Sequence, residues 1–401
     1  MAMVPHSQTD LVYLPDHGFV GEEGALRILP QITRQIHRIN VSRNPLGLAG
    51  ITILFKGLTT LRARHSSPEL GLGIWGLKDI NFATTDAEDE ALDCVLSYAK
   101  KDGFLRAVYM QGNEIRLEKA VESIALSINM SRLDMLSLTN NTNISTEGLT
   151  KLLRLLDSPH LRELHLAACR LPPSMAPILA DFIRSPRSRN ITHLLLHGNQ
   201  LGGAGVTQII DAIEESNFSL IEAGLLANAS PPSDAPDQAV KTKDEASLLE
   251  HQVHVRLVEI LKRNRLLTKR VRRAASRMIA PARIILNARP LSDAETARNV
   301  VSAFSASNPE AYNAFRLLDL PEDVIQDVVR HTSGDPGALS QGQYTRLRLE
   351  ASDKKALKTA TEARNRMLRG KSVYDEKGAL EQEQVRAEWL KKGKWDKWER
   401  D

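Results

Sequence analysis

Seven segments of this chain share a spacing of apolar residues that a stack of similar units can satisfy and an isolated unit cannot. Written L-x-x-L-x-L-x-x-N-x-L, the pattern reads IHRINVSRNPL from Ile36, LKDINFATTDA from Leu77, LRAVYMQGNEI from Leu105 and LDMLSLTNNTN from Leu133. It continues as LRELHLAACRL from Leu161, ITHLLLHGNQL from Ile191 and a degraded LIEAGLLANAS from Leu220. The starts at 77, 105, 133 and 161 are 28 residues apart, and the next two intervals are 30 and 29. The alternating L-x-L core has the period of a strand, while the continuations, such as EGLTKLLRLLDS from Glu147 and GVTQIIDAIEES from Gly205, have the period of a helix. Each unit therefore reads strand, turn, helix, and only its neighbours can cover its apolar face. A coiled coil would need heptads, which the L-x-L core does not supply.

Within a unit the second and third apolar positions, Val108 with Met110 or Leu136 with Leu138, are expected to point inward. The ninth position holds Asn44, Thr85, Asn113, Asn141, Cys169, Asn199 and Asn228, where the chain leaves the strand and buried backbone groups need side-chain partners. Over roughly residues 36 to 266 the unit length and full helix resemble the ribonuclease-inhibitor type of leucine-rich repeat. The expected architecture is an α/β solenoid, with parallel strands on its concave face and helices on its convex face, followed by a small α-helical C-terminal region.

The expected organisation is an N-terminal cap or extension over 1–35, the solenoid over 36–266, a basic capping helix over 267–290, an F-box-like helical region over 291–350 and a polar helical tail over 351–401. The first repeat carries an insertion from Arg62 to Gly76. A Pro-, Ser- and Asp-rich stretch within 229–246 reads as a disordered surface loop, with helix resuming at Leu248.

Composition narrows the setting. At 401 residues, 42% hydrophobic and 25% charged, the chain has the make-up of a folded globular protein. Two cysteines, Cys94 and Cys169, suit a reducing compartment. The first 31 residues carry Pro5, Asp10, Asp16 and Glu22 where a secretory signal needs an apolar run, and no stretch is long enough to span a membrane. Cytoplasm or nucleus is the expected location. The net charge of +4 does not by itself imply nucleic-acid binding.

Residues flanking and between the inward pairs face solvent on the concave side and should choose a protein partner. Arg106, Tyr109, Gln111, Arg162, His165, His193, Leu195 and His197 are the candidate contacts. His193 and His197 lack a Cys or carboxylate at zinc spacing, so no metal is expected. No nucleophile elbow, P-loop, H-E-x-x-H or dinucleotide fingerprint occurs, and the glycines of GNQLGGAG belong to a repeat turn. Neither catalysis nor a cofactor is expected.

From Arg256 to Arg283 the chain holds one acid, Glu259, among many bases. Leu257, Ile260, Leu261, Leu267, Val271, Ala274, Ala275, Met278 and Ile279 form one helical face that should cap the solenoid, and Pro281 and Pro290 should break the run. The opposite face presents Lys262, Arg263, Arg265, Lys269, Arg270, Arg272 and Arg273, open to three readings: a nuclear-import signal, a phosphate or acidic-lipid contact, or a solvated face. Without interleaved aromatics, nucleic acid is disfavoured.

Farther on, LLDLPEDVIQDVVRH resembles the opening of an F-box through Leu320, Pro321, Glu322, Val324, Ile325 and Val328. The following TSGDPGALSQGQYTRL departs from that family, whose box also usually precedes the repeats. The resemblance implies docking on the linker subunit of a cullin-based ubiquitin ligase; a helical pack bracing the solenoid is the alternative. Trp389, Trp395 and Trp398 could anchor to a partner or membrane interface, or fold back onto the helices, which is the favoured expectation. Taken together, the expected function is a non-enzymatic protein–protein interaction scaffold, with a substrate-recruiting ligase adaptor as its finer form. A leucine-rich-repeat regulator of a small GTPase and a nuclear protein using its basic helix on nucleic acid stay open as alternatives. The GTPase regulators typically end in an acidic tail, whereas this chain ends in WERD.

Overall fold

The computed structural model describes residues 10–66, 75–228, 243–287, 320–353, 358 and 376–400, with backbone alone at 65 and 287 and over 243–250 and 376–382. The chain divides into two compact units, 1–262 and 263–401.

In the first unit, eight strands among the described residues form one sheet in chain order, every neighbour parallel. They are β1 (Leu11–Tyr13), β2 (Arg38–Asn40), β3 (Asp79–Asn81), β4 (Ala107–Tyr109), β5 (Met135–Ser137), β6 (Glu163–His165), β7 (His193–Leu195) and β8 (Glu222–Gly224). Between them run α1 (Gly21–Ile28), α2 (Gly47–His65), α3 (Asp89–Lys101), α4 (Val121–Met130), α5 (Thr146–Leu155), α6 (Met175–Arg184) and α7 (Gly202–Ser216). This is an open solenoid of the leucine-rich-repeat kind.

The register follows the sequence repeat: Ile80 pairs with Val108, Leu136 with Leu164, and Leu164 with Leu194. These residues and the next inward set, Phe82, Met110, Leu138, Leu166 and Leu196, are buried. Against them lie the helix stripes, for example Leu149, Leu152 and Leu153 of α5 and Val206, Ile209, Ile210 and Ile213 of α7. Each such side chain stabilises by about 1.5–3 kcal/mol on burial, so the shared core, not the three-residue strands, holds the stack together.

The ninth-position residues are all buried. Asn141 Oδ1 accepts from Asn113 N at 3.1 Å and Ile115 N at 3.4 Å, while its Nδ2 donates to Met110 O at 3.0 Å and Leu138 O at 2.8 Å. One amide thus serves two repeats, and Asn113 and Asn199 act alike. Cys169 does only half of this. Burial pushes its thiol up to about 11, and it donates to Leu138 O at 3.3 Å. It has no carbonyl to offer Asn141 N, which turns to Leu138 O at 3.3 Å.

The sheet begins one repeat earlier than the pattern indicated. Within the segment expected as a cap or extension, β1 pairs with β2, and Asp16 has the left-handed backbone (φ 60°) found at the equivalent Arg43, Thr84, Gly112, Asn140, Ala168, Gly198 and Ala227. Thr9 and Val12 stand at the first two apolar positions and His17 at the ninth, leaving Leu14 as the one leucine of the pattern, which hid it. The insertion placed at Arg62–Gly76 also starts differently, since α2 continues to His65.

Next comes α8 (Lys243–Asn287), which begins before the expected Leu248 and runs through Pro281. The expected break is therefore corrected. A helix-interior proline costs roughly 3 kcal/mol, but Ala282 beyond it is fully buried and Ile285 and Leu286 pack against a core, which offsets that cost. The expectation of a single capping face is corrected too. Leu257, Ile260 and Leu261 belong to the solenoid core, whereas Val271, Ala274, Ala275 and Met278 belong to the core of the second unit.

That second core is completed by α9 (Glu322–His331), α10 (Gln341–Ser352), the end of α11 (Glu376–Lys392) and Trp395. Ser340 and Gln343 form a reciprocal capping box at the start of α10, and Gln343 Nε2 also holds Lys394 O at 2.9 Å and Lys397 O at 2.7 Å. Trp395 is buried, donates from Nε1 to Gln343 O at 3.0 Å, and lies 4.6 Å from the Trp389 ring. The tryptophans therefore fold back onto the helices. The loop expected over 229–246 up to Thr242, the first part of the F-box-like region at 291–319 and much of the polar tail lie outside the described residues.

Candidate functional site

Parallel register turns single residues of successive repeats into rows across the concave face. One row runs Tyr109, Ser137, His165, Leu195 and Gly224, and the row before it Ala107, Met135, Glu163, His193 and Glu222. Neighbours along a row stand about 4.8 Å apart. Ser137, Ala107 and Met135 are buried, so between Tyr109 and His165 the surface sinks to a small, mainly apolar floor. Tyr109, Gln111, His165, His193, Leu195 and His197 are half-buried on this face.

The rows also bring together charges that the candidate list missed. Glu163 lies 3.5 Å from His165 Nε2 and 3.9 Å from His193 Nδ1, while His193 Nε2 lies 3.7 Å from Glu222. His193 thus stands between carboxylates of the two flanking strands. Burial raises the Tyr109 phenol above its ordinary range, and the negative charges of Asp79 and Glu163 raise it further. Burial also raises the Asp79 carboxyl, against the pull of Arg38 and Lys78. At the far end of the sheet Arg38 pairs with Asp10 at 2.6 Å and holds that carboxyl below its usual range. Asp79, Glu163, His193 and Glu222 share the third position of their repeats, so their common face was readable from the spacing.

His197 reaches across to the next strand. A Cβ at Gly224 would fall 2.0 Å from its Nε2, so the imidazole occupies the space that this glycine leaves open. Gln111 Oε1 is buried without a hydrogen-bond partner among the described residues.

Arg162 and Arg106 need a correction. Arg162 is only 7% exposed and donates from Nη1 to Asn190 O and Oδ1, at 3.1 and 3.2 Å. Arg106 donates to the carbonyls of Gly103, Leu105 and Arg132. Both lie one residue before the strand, where loop carbonyls converge, and their guanidiniums brace the loops instead of standing out from the sheet.

In the second unit the F-box-like residues divide between core and surface. Pro321 caps α9, Glu322 meets Arg348, Leu320 is half-buried and Ile325 is buried. Val324 and Val328, one turn apart, are 38% and 37% exposed. Of the basic-helix candidates, Lys262 lies 3.5 Å from Glu259, Arg263 Nε bonds Asn264, and Arg270 makes a two-pronged contact with Asp335 at 2.9 and 3.0 Å. Arg265, Lys269, Arg272 and Arg273 are exposed with no ion pair among the described residues.

Among the described residues, no group of three or more His, Cys, Asp or Glu could hold a metal ion, and no helix is long and apolar enough to cross a membrane. No protein-family model and no curated protein matches the chain. Among solved structures, it is similar to a tropomodulin C-terminal domain from Caenorhabditis elegans at 15% identity, over 60% of this chain and 92% of that one, with a TM-score of 0.25.

Proposed function

We propose that this chain is a non-enzymatic interaction protein that holds a polypeptide partner across the concave face of its sheet. The observation that carries this reading is the continuous pair of rows from Tyr109 to Glu222, where half-buried aromatic, imidazole and aliphatic groups stand on rigid strands. Such groups lose little side-chain entropy on contact and combine apolar area with hydrogen bonding, the chemistry enriched in protein interfaces. Tyr109, His165, His193, Leu195 and His197 are the contacts. Replacing Tyr109→Ala together with Leu195→Asp should weaken partner capture about 30-fold or more while thermal unfolding stays cooperative. Undiminished capture by that variant would remove the concave face from the account.

A finer reading assigns the second unit to recruitment of the linker subunit of a cullin-based ubiquitin ligase. Its support is α9, whose Val324 and Val328 are left partly exposed while Ile325 and Val329 fill the core. Co-purification of the linker subunit with the full chain, lost on Val324→Asp with Val328→Asp, is the expected outcome. If the linker never co-purifies, the adaptor role goes and the concave-face reading stands. The free Cys94 and Cys169 support a reducing location, cytoplasm or nucleus.

A further inference from the structure

The second unit's part of α8 has two opposite faces of different chemistry. Asn264, Thr268, Val271, Ala275, Met278 and Ala282 are buried on one side. On the other, Leu266 is 55% and Ile284 75% exposed. They are eighteen residues apart, five full turns at 3.6 residues per turn, and so lie on one line along the helix about 27 Å in length. Arg273 falls close to that line, Lys269 stands about 60° round the helix from it, and Arg265 and Arg272 about 100–120° round on the same side, all four exposed and without an ion pair among the described residues. The other basic groups close to this line are already engaged, Arg277 by the Ser333 carbonyl and Arg270 by Asp335.

This stripe has a use that neither a solvated face nor a phosphate-backbone contact explains. A solvated face has no need to expose two large aliphatic side chains among its cations. A nucleic-acid backbone asks for the cations, but bases are gripped by aromatic rings, and this face has none. Cations flanking aliphatic groups on one helix side suit the boundary of an anionic bilayer, where phosphates and carboxylates lie above acyl chains. We propose that this face of α8 rests on an anionic lipid surface, with Arg265, Lys269, Arg272 and Arg273 meeting headgroups and Leu266 and Ile284 entering the acyl boundary. The attachment is peripheral and reversible, and it is independent of what the concave face holds.

The test is co-sedimentation of the full chain with vesicles of phosphatidylcholine alone or mixed with phosphatidylserine. The chain binds the phosphatidylserine-containing vesicles, and added salt weakens that binding. Changing Arg265, Lys269, Arg272 and Arg273 to Gln together lowers the affinity on the order of a hundredfold. Leu266→Asn with Ile284→Asn lowers it on the order of tenfold at unchanged net charge. Changing Arg27, Lys119, Lys151 and Arg184 to Gln, the same loss of charge on the solenoid, leaves binding in place. Every altered side chain is exposed or only part-buried, and circular dichroism confirms that each variant is folded. Equal binding to phosphatidylcholine, or equal loss in the solenoid control, overturns the proposal. So does a duplex or single-stranded nucleic acid that displaces the vesicles and binds the Leu266/Ile284 variant as tightly as the original chain.

Discussion

In the solenoid a contact made once is made again one repeat later, whereas in the helical unit each contact is made a single time. Asn113, Asn141 and Asn199 each take N–H groups of the preceding repeat and return donors to carbonyls on both sides. In the helical unit Gln343 completes the capping box with Ser340 and also ties down the backbone at Lys394 and Lys397, with Trp395 bonded to its carbonyl. Repetition distributes stability over many equivalent joints, and it also generates the concave rows, because any residue type at one repeat position is displayed across the sheet. The helical unit concentrates its stability in a few residues and displays no such row. Damage should therefore spread along the first unit and stay confined in the second.

The sharpest way to break this comparison is at the joints themselves. Gly148 sits where a Cβ would come within 1.8 Å of the Leu117 carbonyl, an approach that backbone cannot relieve cheaply. Gly148→Ala should cost the solenoid about 3 kcal/mol or more, and Asn141→Ala a similar amount through orphaned buried N–H and C=O groups. Hydrogen exchange should show lost protection in the flanking repeats as well as the mutated one. Protection lost only locally would mean that the ladder does not couple repeats.

In the helical unit, Gln343→Ala should cost about 2–3 kcal/mol, from the lost return half of the capping box and two lost grips on backbone carbonyls. Urea unfolding followed by tryptophan emission should shift its midpoint, with exchange in β4 to β7 unchanged. A change in those strands would contradict the confinement.

Two substitutions should strengthen the repeat where it departs from its own rule. Cys169→Asn supplies the missing acceptor for Asn141 N and should stabilise by about 1 kcal/mol. Thr84 is β-branched yet held at φ 55°, where Gly112 and Gly198 are at ease in the same slot. Thr84→Gly should gain roughly 0.5–1 kcal/mol, read as a raised urea midpoint. Loss of stability in both would show that neighbouring packing has adapted to the departures.

The smallest expected effect is electrostatic. Arg270 holds the Asp335 carboxyl below its ordinary value of 3.8. Because the folded value is depressed, the pair's contribution is complete above the ordinary carboxylate range and is lost as pH falls through the depressed value. Both side chains are about half-exposed, so Asp335→Asn should cost no more than about 1 kcal/mol at neutral pH and almost nothing in strong acid.

Much of the first unit was legible because its information is periodic. Val108, Leu136 and Leu164 stand in register in the sheet as they do in the repeat, and the ninth-position column proved to be a buried hydrogen-bond ladder. What periodicity could not reveal were contacts particular to one place. Asp89 gathers the N–H groups of Arg116, Leu117, Glu118 and Lys119 with one carboxylate, and nothing about an Asp at a helix start foretells four backbone donors. Arg162 looked like a surface cation because its destination, Asn190, ends a short 3-10 helix that has no counterpart in the repeat pattern. Pro281 looked like a stop because local propensity was not weighed against the core that Ala282 and its neighbours complete. On the candidate face, Tyr109 and His165 could be placed from spacing alone, but the Glu163–His193–Glu222 bridge required the register of three strands.

The claim on which the account turns is that the concave rows, and not the helical convex side, hold the partner. Photo-crosslinking amino acids placed singly at Tyr109, Leu195 and, on the exposed side of α4, Leu126 test it directly. The account predicts that the first two positions crosslink to the same polypeptide and that Leu126 yields none of it; crosslinks from Leu126 with none from Tyr109 or Leu195 would contradict it.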